Sequence, residues 1–499
     1  MKFILNFCII LILCSKAFSV GLELVIPDYI IADLRHEIQE SDFLSISKEQ
    51  KQKLLNQLQN EKFSYARLLE LLSKNLGQEF SKLNQLAKIS FTNLDVTLRP
   101  EIKTIKFNSE SKHSIENLST YAQNRIGVGT YDFASEQHLS VYVVGGSVDQ
   151  ITEYSRKISG LGTYQITPIP TLYSHWGIYK FEIASISNPT QKNLVWIVPP
   201  SLQYVQHYAE LFSFATKTES YYWIDENSKI SYQKKMQKNA NSVFRKLQKP
   251  DYLIFGYNYL WKEQIQKSNA WEIVQETSFQ NLLLGQSYVE LTLKSKDKLN
   301  TELIRLGLVS SNQTVWGELA SLNLSSYFHQ NLKAVFFLGS AGSIDAGINP
   351  YSISAPKKFQ TSQEKLLVNN LIGQDSGLTA NSDMHFHAQH GNTFSPIEQN
   401  KNYLLGLKKH NIGTIDVEQS LLAMAVAGFN IQYNTKIQFG AVNVITDKPI
   451  AAFTKQGGLN NLDQTNQEMK AAARAKAVHL AFDTLIRHQI TNSCKKLFL

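Results

Sequence analysis

Two carboxylates in the C-terminal half of this chain stand where acid–base chemistry is done. Glu418 follows Thr414-Ile415-Asp416-Val417 and opens a stretch of small apolar residues, Leu421 to Ala425, that reads as a helix. Asp447 ends an apolar run from Phe439 to Thr446 that reads as a β-strand. Ligands of open α/β sheets bind beyond the carboxyl ends of the strands, so adjacent elements deliver both acids to one place. One acid can fix a polyol there while the other moves a proton. Upstream, Ala334 to Leu338 is a continuous apolar strand running into Gly339-Ser340-Ala341-Gly342. That sequence reads as a turn whose missing side chains let a ligand approach the backbone.

Taken in order, strand–Gly-Ser-Ala-Gly, Asp-Val-Glu–helix and strand–Ile-Thr-Asp resemble the nucleoside phosphorylase/nucleosidase superfamily. Among its members the pattern resembles the methylthioadenosine/adenosylhomocysteine nucleosidase type, over about residues 250–490. The resemblance implies an α/β fold, a three-layer domain around a central twisted mixed sheet. It also implies site roles. The glutamate of the Val-Glu pair accepts hydrogen bonds from ribose hydroxyls, and Glu418 holds that position after Val417. An ionised carboxylate only accepts, which suits the two donors of a cis-diol. The competing reading makes Glu418 a helix N-terminal carboxylate interacting with the macrodipole. Asp416 matches a second acid often found there. Asp447 matches the acid that protonates a purine N7, or holds that proton, as the glycosidic bond breaks. An aspartate with an ordinary pKa of about 4 is mostly ionised at neutral pH, so such an acid needs help from its pocket or from solvent. A turn or cap before Lys448-Pro449 is the competing reading for Asp447. Thr446 replaces the family's serine and keeps a hydroxyl, while Ser340, Ala341 and Gly342 match the turn lining ribose and base.

Departures from the pattern matter as much. Phosphorylases of the superfamily commonly carry an arginine three residues before the Ser or Thr of the glycine turn, where it binds phosphate. Phe337 stands there. Without that cation a phosphate dianion is poorly held, so the expectation moves from phosphorolysis to hydrolysis by water. Water needs a base, and relatives draw a glutamate from the loop after the first strand; Glu263 is the nearby candidate, about two residues late. Asn443 occupies a position often held by arginine, which leaves room for a chain that has lost activity. Phe394 lies where relatives place a base-stacking phenylalanine, with a core position as the alternative. Just before it, Asp383 to His390 carries histidines at two- and three-residue spacing. Such spacing suits zinc, but in an insertion between Gln360 and Lys401 the expectation is a solvated loop and no metal. No cofactor is expected.

The rest of the chain bounds the answer. Met1-Lys2, an apolar run Phe3 to Leu13 and small residues to Ser19 read as a secretory signal, too short for a permanent span. Cleavage after Ser19 and an exported protein, periplasmic or secreted, are expected; lipidation at Cys14 is disfavoured by Leu13 before it. Of three cysteines, Cys8 and Cys14 fall in that segment and only Cys494 remains, so no internal disulfide is expected. The net charge of +8 is spread over separated lysine pairs such as Lys357-Lys358 and Lys408-Lys409, the pattern of a solvated surface and not of nucleic-acid binding.

Residues 20–91 carry Leu at three- and four-residue spacing, as in Leu54, Leu55 and Leu58, and read as two or three helices with breaks near Ser41-Asp42 and Gly77. They look like a helical cap or packing arm. Residues 92–250 mix short strands (His138 to Val144, Tyr179 to Ile183, Asn193 to Val198) with helices, including one from about Ser242 to Gln248, and form a smaller α/β region of unassigned role. Residues 251–490 are the nucleosidase-like domain and 491–499 a tail. Gly145-Gly146 reads as a tight turn. The expected function is an exported enzyme hydrolysing the N-glycosidic bond of a purine-type nucleoside. Its alternatives are a phosphate-dependent nucleoside phosphorylase and a non-catalytic nucleoside-binding or interaction protein. The expected partner is a small-molecule nucleoside, with no stable membrane span. A homo-oligomer is an open expectation, as family members often form dimers or hexamers.

Overall fold

The computed structural model describes residues 26–497 apart from segments 41–45, 77–88, 95–100, 109–112, 116, 138, 174–176, 280–285, 297–302, 312–315, 346, 361–366, 375–383 and 454–465. The signal reading of 1–19, the breaks at Ser41-Asp42 and Gly77, and Asp383 therefore lie outside the described residues.

The helical patterning of the first stretch becomes three helices, Asp28–Glu40, Lys48–Asn60 and Tyr65–Leu76. Ser47 caps the second, its hydroxyl accepting from Gln50 N while the Gln50 side chain reaches back to Ser47 N. These helices pack directly on the strands that follow. Their Leu34, Leu54, Leu68 and Leu72 share one apolar core with the strands that follow. Polar contacts reinforce this: fully buried Lys180 pairs with Asp33 at 3.3 Å and Glu37 at 3.1 Å and donates to Ile126 O. Burying an ion is costly unless opposite charges and hydrogen bonds surround it, as they do here.

Those strands form a seven-stranded mixed sheet. They are β1 (Ser90–Asn93), β2 (Lys103–Ile105), β3 (Ser140–Gly145), β4 (Gly162–Ile169), β5 (Tyr179–Ser185), β6 (Lys192–Val198) and β7 (Ser220–Ile224), ordered β1-β4-β5-β6-β3-β7-β2. The helix expected at 242–248 is longer and earlier, Glu226–Phe244. Its Met236 belongs to the first core, while Ala240 and Val243 belong to the next, so it joins the two halves.

The C-terminal half is a ten-stranded mixed sheet: β8 (Tyr252–Phe255), β9 (Trp271–Phe279), β10 (Gln286–Ser295), β11 (Leu303–Ser311), β12 (Ala334–Ser343), β13 (Ile353–Gln360), β14 (Leu367–Asn369), β15 (Met384–Asn392), β16 (Ile412–Asp416) and β17 (Gln438–Asp447). One face packs on helices Asn258–Gln266 and Gln467–Leu497 through Trp261, Ile265, Ala477 and Phe482. The other packs on Gly317–Ser325 and Gln419–Tyr433 through Leu324, Leu422 and Val426. The molecule is thus mixed α/β, with a three-layer C-terminal half.

The sheet also closes on itself. β12 pairs with β17, β17 with β13, β13 with β15, β15 with β16, and β16 returns to β12 through Gly342 and Ser343. The histidine-bearing segment expected as a solvated loop is a member of this ring, β15, with His387 and His390 buried. Likewise Gly339 to Gly342 is not a turn. β12 continues through it, paired in parallel with β17, because two neighbouring strands still offer hydrogen bonds there. Among the described residues no helix is long and apolar enough to cross a membrane.

Candidate active site

The register of the ring gathers the motif residues. Pairing of Ser340 with Val444 and Ala341 with Ile445 is followed by a shift that sets Gly342 opposite Asp447. On the other side Gly342 faces Ile415, one residue before Asp416 ends β16. A Cβ on Gly342 would sit 2.8 Å from the Pro449 ring, so glycine leaves room for the chain that follows Asp447 to turn beside β12. The result is a cavity of about 240 Å³ lined by Ser340, Ala341 and Gly342, by Asp416, Val417 and Glu418, and by Thr446 and Asp447. A larger cleft of about 540 Å³ opens in the N-terminal half beside Gly146, Asp149 and Asp225, and none of the motif residues reaches it.

Each acid is held differently. Asp416 Oδ1 takes the backbone N–H of Glu418 at 3.1 Å and of Gln419 at 3.0 Å, the exposed donors of a helix start, and faces His390 Nε2 at 2.9 Å. Its Oδ2 is buried without a hydrogen-bond partner. Glu418 keeps some accessible surface, but that surface belongs to the cavity wall. Burial first, and the neighbouring Asp416 second, push its carboxyl well above the ordinary range. That direction favours the protonated carboxyl, where the sequence suggests an ionised acceptor. Thr446 Oγ1 donates to Asp447 Oδ1 at 2.9 Å and so orients the second acid. Burial first and the Arg474 charge second lower the pKa of Lys470, on the last helix, with the Asp447 carboxylate opposing them.

Two expected site residues are elsewhere. Glu263 lies on the Asn258–Gln266 helix with its side chain exposed and paired with Lys267 at 2.6 Å, a contact one helical turn away that solvent favours. It does not line the cavity. Phe394 is also outside the lining: its N–H binds Glu398 and its carbonyl takes Gln203 Nε2, while Thr393 beside it faces the cavity. Phe337 stacks on Phe255 at 5.8 Å within the core, so the place of the expected phosphate-binding cation is filled by packed aromatic rings. Asn443 is fully buried and accepts from the Gln419 side chain, tying helix to strand outside the cavity. Among the described residues no group of three His, Cys, Asp or Glu is placed to hold a metal ion.

The residues missed by sequence reasoning come mainly from the N-terminal half. Ser114, Ile115, Tyr121 and Arg125 close the cavity, Arg125 lying 5.2 Å over the Tyr121 ring. Trp316 supplies the aromatic wall, stacked on Tyr204 at 5.2 Å. They are held there by a polar seam. Gln203 donates to Phe394 O and Val417 O and accepts from Glu318 N. His113 Nε2 meets Ile397 O at 2.6 Å, and His207 Nδ1 meets Ser395 Oγ at 2.7 Å. Gly317, at φ +46°, touches the same Gln203, where any Cβ would collide. No short motif marks these residues, because their proximity is a product of docking and not of spacing.

No family model matches the chain, and no curated protein matches it. Some solved structures resemble it over about half its length. A futalosine hydrolase mutant of Helicobacter pylori is 9% identical, with 47% of this chain and 98% of that one covered at a TM-score of 0.33. The 5'-methylthioadenosine/S-adenosylhomocysteine nucleosidase of Neisseria meningitidis is 12% identical, with 47% and 97% covered at 0.33. Its Campylobacter jejuni counterpart is 10% identical, with 47% and 98% covered at 0.33.

Proposed function

We propose that this protein hydrolyses the N-glycosidic bond of a purine-type nucleoside. The observation that carries the reading is the convergence of three distant segments, Ser340–Gly342, Asp416–Glu418 and Thr446–Asp447, on one small cavity. In this reading Glu418 binds the sugar hydroxyls, Trp316 stacks on the base and Asp447 delivers a proton to it as the bond breaks. Water attacks the anomeric carbon from the opposite face. Phe337, packed in the core, supports water over phosphate because β12 brings no cation to the site.

Phosphorolysis is the second reading, and Arg125 favours it: the N-terminal half places this guanidinium on the cavity wall. Purified protein given a panel of nucleosides, with and without phosphate, separates the two by free base released. Release without phosphate supports hydrolysis; release only with phosphate supports Arg125 as an anion site. Binding with no release under either condition supports a non-catalytic nucleoside-binding protein. We also hold to export, on the strength of residues 1–19; N-terminal sequencing of the exported protein should begin near Val20, and Met1 retained on a cytosolic protein would refute it.

A further inference from the structure

The N-terminal sheet carries a recess of its own. β3 runs parallel to β6 on one side and to β7 on the other, with Gly145 level with Val198 and Ile224. The three strands therefore end together. The cleft of about 540 Å³ lies at that carboxyl edge, lined by Gly146 and Asp149 after β3, Pro199 after β6 and Asp225 after β7. Ligands of α/β sheets bind at such an edge, in the crevice outside the carboxyl ends of the strands. The Ile151–Ile158 and Glu226–Phe244 helices supply the walls. No residue that lines the proposed nucleoside cavity lines this cleft.

Asp225 is held firmly at this edge, its N–H donating to Gly145 O at 2.9 Å. An aspartate at a helix start ordinarily accepts from the first N–H groups of that helix. Asp225 caps none of them. Its Oδ2 instead accepts from Tyr154 Oη at 2.8 Å and from Ser228 Oγ at 2.6 Å, and the Tyr154 oxygen accepts from Ser147 N at 3.1 Å. Gly146 makes room for this arrangement, because a Cβ there would overlap the Tyr154 hydroxyl. Asp225 is half-buried, and its Oδ1 takes no hydrogen bond from the described residues and remains open to solvent. One oxygen is thus fixed, and the other is an open acceptor at the cleft.

The charges around the cleft select its ligand. Asp149, Glu153 and Asp225 share the lining with Lys157 and Lys235. Each helix start already carries an acid in its first turn, Glu153 in one and Glu226 in the other, which answers the helix dipole and disfavours a phosphate. Among the described residues no three acids or histidines converge as metal ligands. The two lysines oppose a free organic cation. An uncharged polyol meets every one of these conditions, because each hydroxyl donates to a carboxylate and accepts from an ammonium. Half-buried Tyr179 and Tyr232 add aromatic surface for the C–H faces of such a ring. We propose that this cleft binds a sugar of one or two rings, with Asp225 Oδ1 accepting from its hydroxyls. The cleft has the volume of a small-molecule site. The proposal does not depend on the nucleosidase reading.

Saturation-transfer NMR on the full chain tests this with D-glucose, N-acetyl-D-glucosamine, D-ribose and maltose as probes. At least one of them should bind. Ser231→Trp, at an exposed position of the Glu226–Phe244 helix on the cleft wall, fills the cleft without touching the Asp225 hydrogen bonds and should abolish the signal. Asp225→Asn presents an amide donor in place of Oδ1 and should weaken binding by about tenfold or more, the effect of losing a charged acceptor. Ser231→Trp decides alone if Asp225→Asn does not fold. Glu418→Gln should leave the signal intact. Binding of none of the four sugars would overturn the proposal, as would binding that survives Ser231→Trp. A signal lost in Glu418→Gln but kept in Ser231→Trp would put the sugar in the nucleoside cavity and overturn it equally. Displacement of the sugar by inorganic phosphate would make the cleft an anion site and contradict the assignment.

Discussion

At the residue scale the two motif acids make different predictions. Asp447→Asn keeps a hydrogen bond to the base but has no acidic proton to give. Turnover should fall by about 10²- to 10⁴-fold while nucleoside affinity stays nearly constant. Equal losses in both would mark Asp447 as a binding residue. Glu418→Gln should weaken nucleoside binding without lowering the melting temperature, and the size is informative. A loss of about 0.5–1.5 kcal/mol fits replacement of a neutral carboxyl, and about 1.5–3 kcal/mol means that the bound sugar draws Glu418 into its charged form. Isothermal titration reads both, and unchanged affinity would reduce Glu418 to a helix-start carboxylate. That both acids would meet at one cavity was legible in the sequence, because Glu418 opens an apolar helix and Asp447 ends an apolar strand. The raised pKa of Glu418 was not, since it depends on burial and on the Asp416 charge beside it.

At the scale of elements, the cavity depends on a seam between halves that share little sequence signal. Gln203 lies at its centre, bonding the backbone on both sides of the site through Phe394 O and Val417 O. Gln203→Leu fills the same space and leaves those carbonyls and Glu318 N without this partner. Each such orphan costs about 1–3 kcal/mol, so thermal unfolding should come earlier. Nucleoside affinity should fall too, because Val417 separates Asp416 from Glu418. Affinity equal to the parent's would show that the seam only supports the fold. The strands β12, β16 and β17 could be read from apolar runs and their ends. The closing contacts of the ring could not, because five of the nine side chains of β15 are polar, three of them histidines. Its burial is stabilised by hydrogen bonds of His387 to Ser354 and Thr414 and of His390 to Thr414 and Asp416, which no periodicity announces.

Across the whole molecule, the N-terminal half gives the site its lid and gives the fold a pH dependence. Glu210, on the Leu202–Thr216 helix at the seam, has its carboxyl pushed up to about 8 by burial and then by Glu398. Its ordinary value is 4.5, so between these values the folded chain holds a proton that the unfolded chain has released. The contribution to stability is full below about pH 4.5, shrinks as pH rises and is gone once pH passes about 8. Glu418 and Glu398, also raised by burial, act with the same sign. Melting temperature should therefore decline across this window, and Glu210→Gln should flatten the decline. A profile identical to the parent's would remove Glu210 as its source. The mixed α/β class was legible from the alternation of strand and helix patterns. That residues 114–125 would cross to the C-terminal cavity was not, because only the docked cores, sharing Leu319 and Ile397, bring them there.

In the proposed function water, and not phosphate, attacks the sugar in this cavity. The most direct test is turnover of a purine nucleoside in ¹⁸O-enriched water containing phosphate, with the sugar product weighed by mass spectrometry. The account predicts free sugar carrying one solvent oxygen at its anomeric carbon, formed at the same rate when phosphate is omitted. A sugar 1-phosphate without solvent oxygen at that position would contradict it.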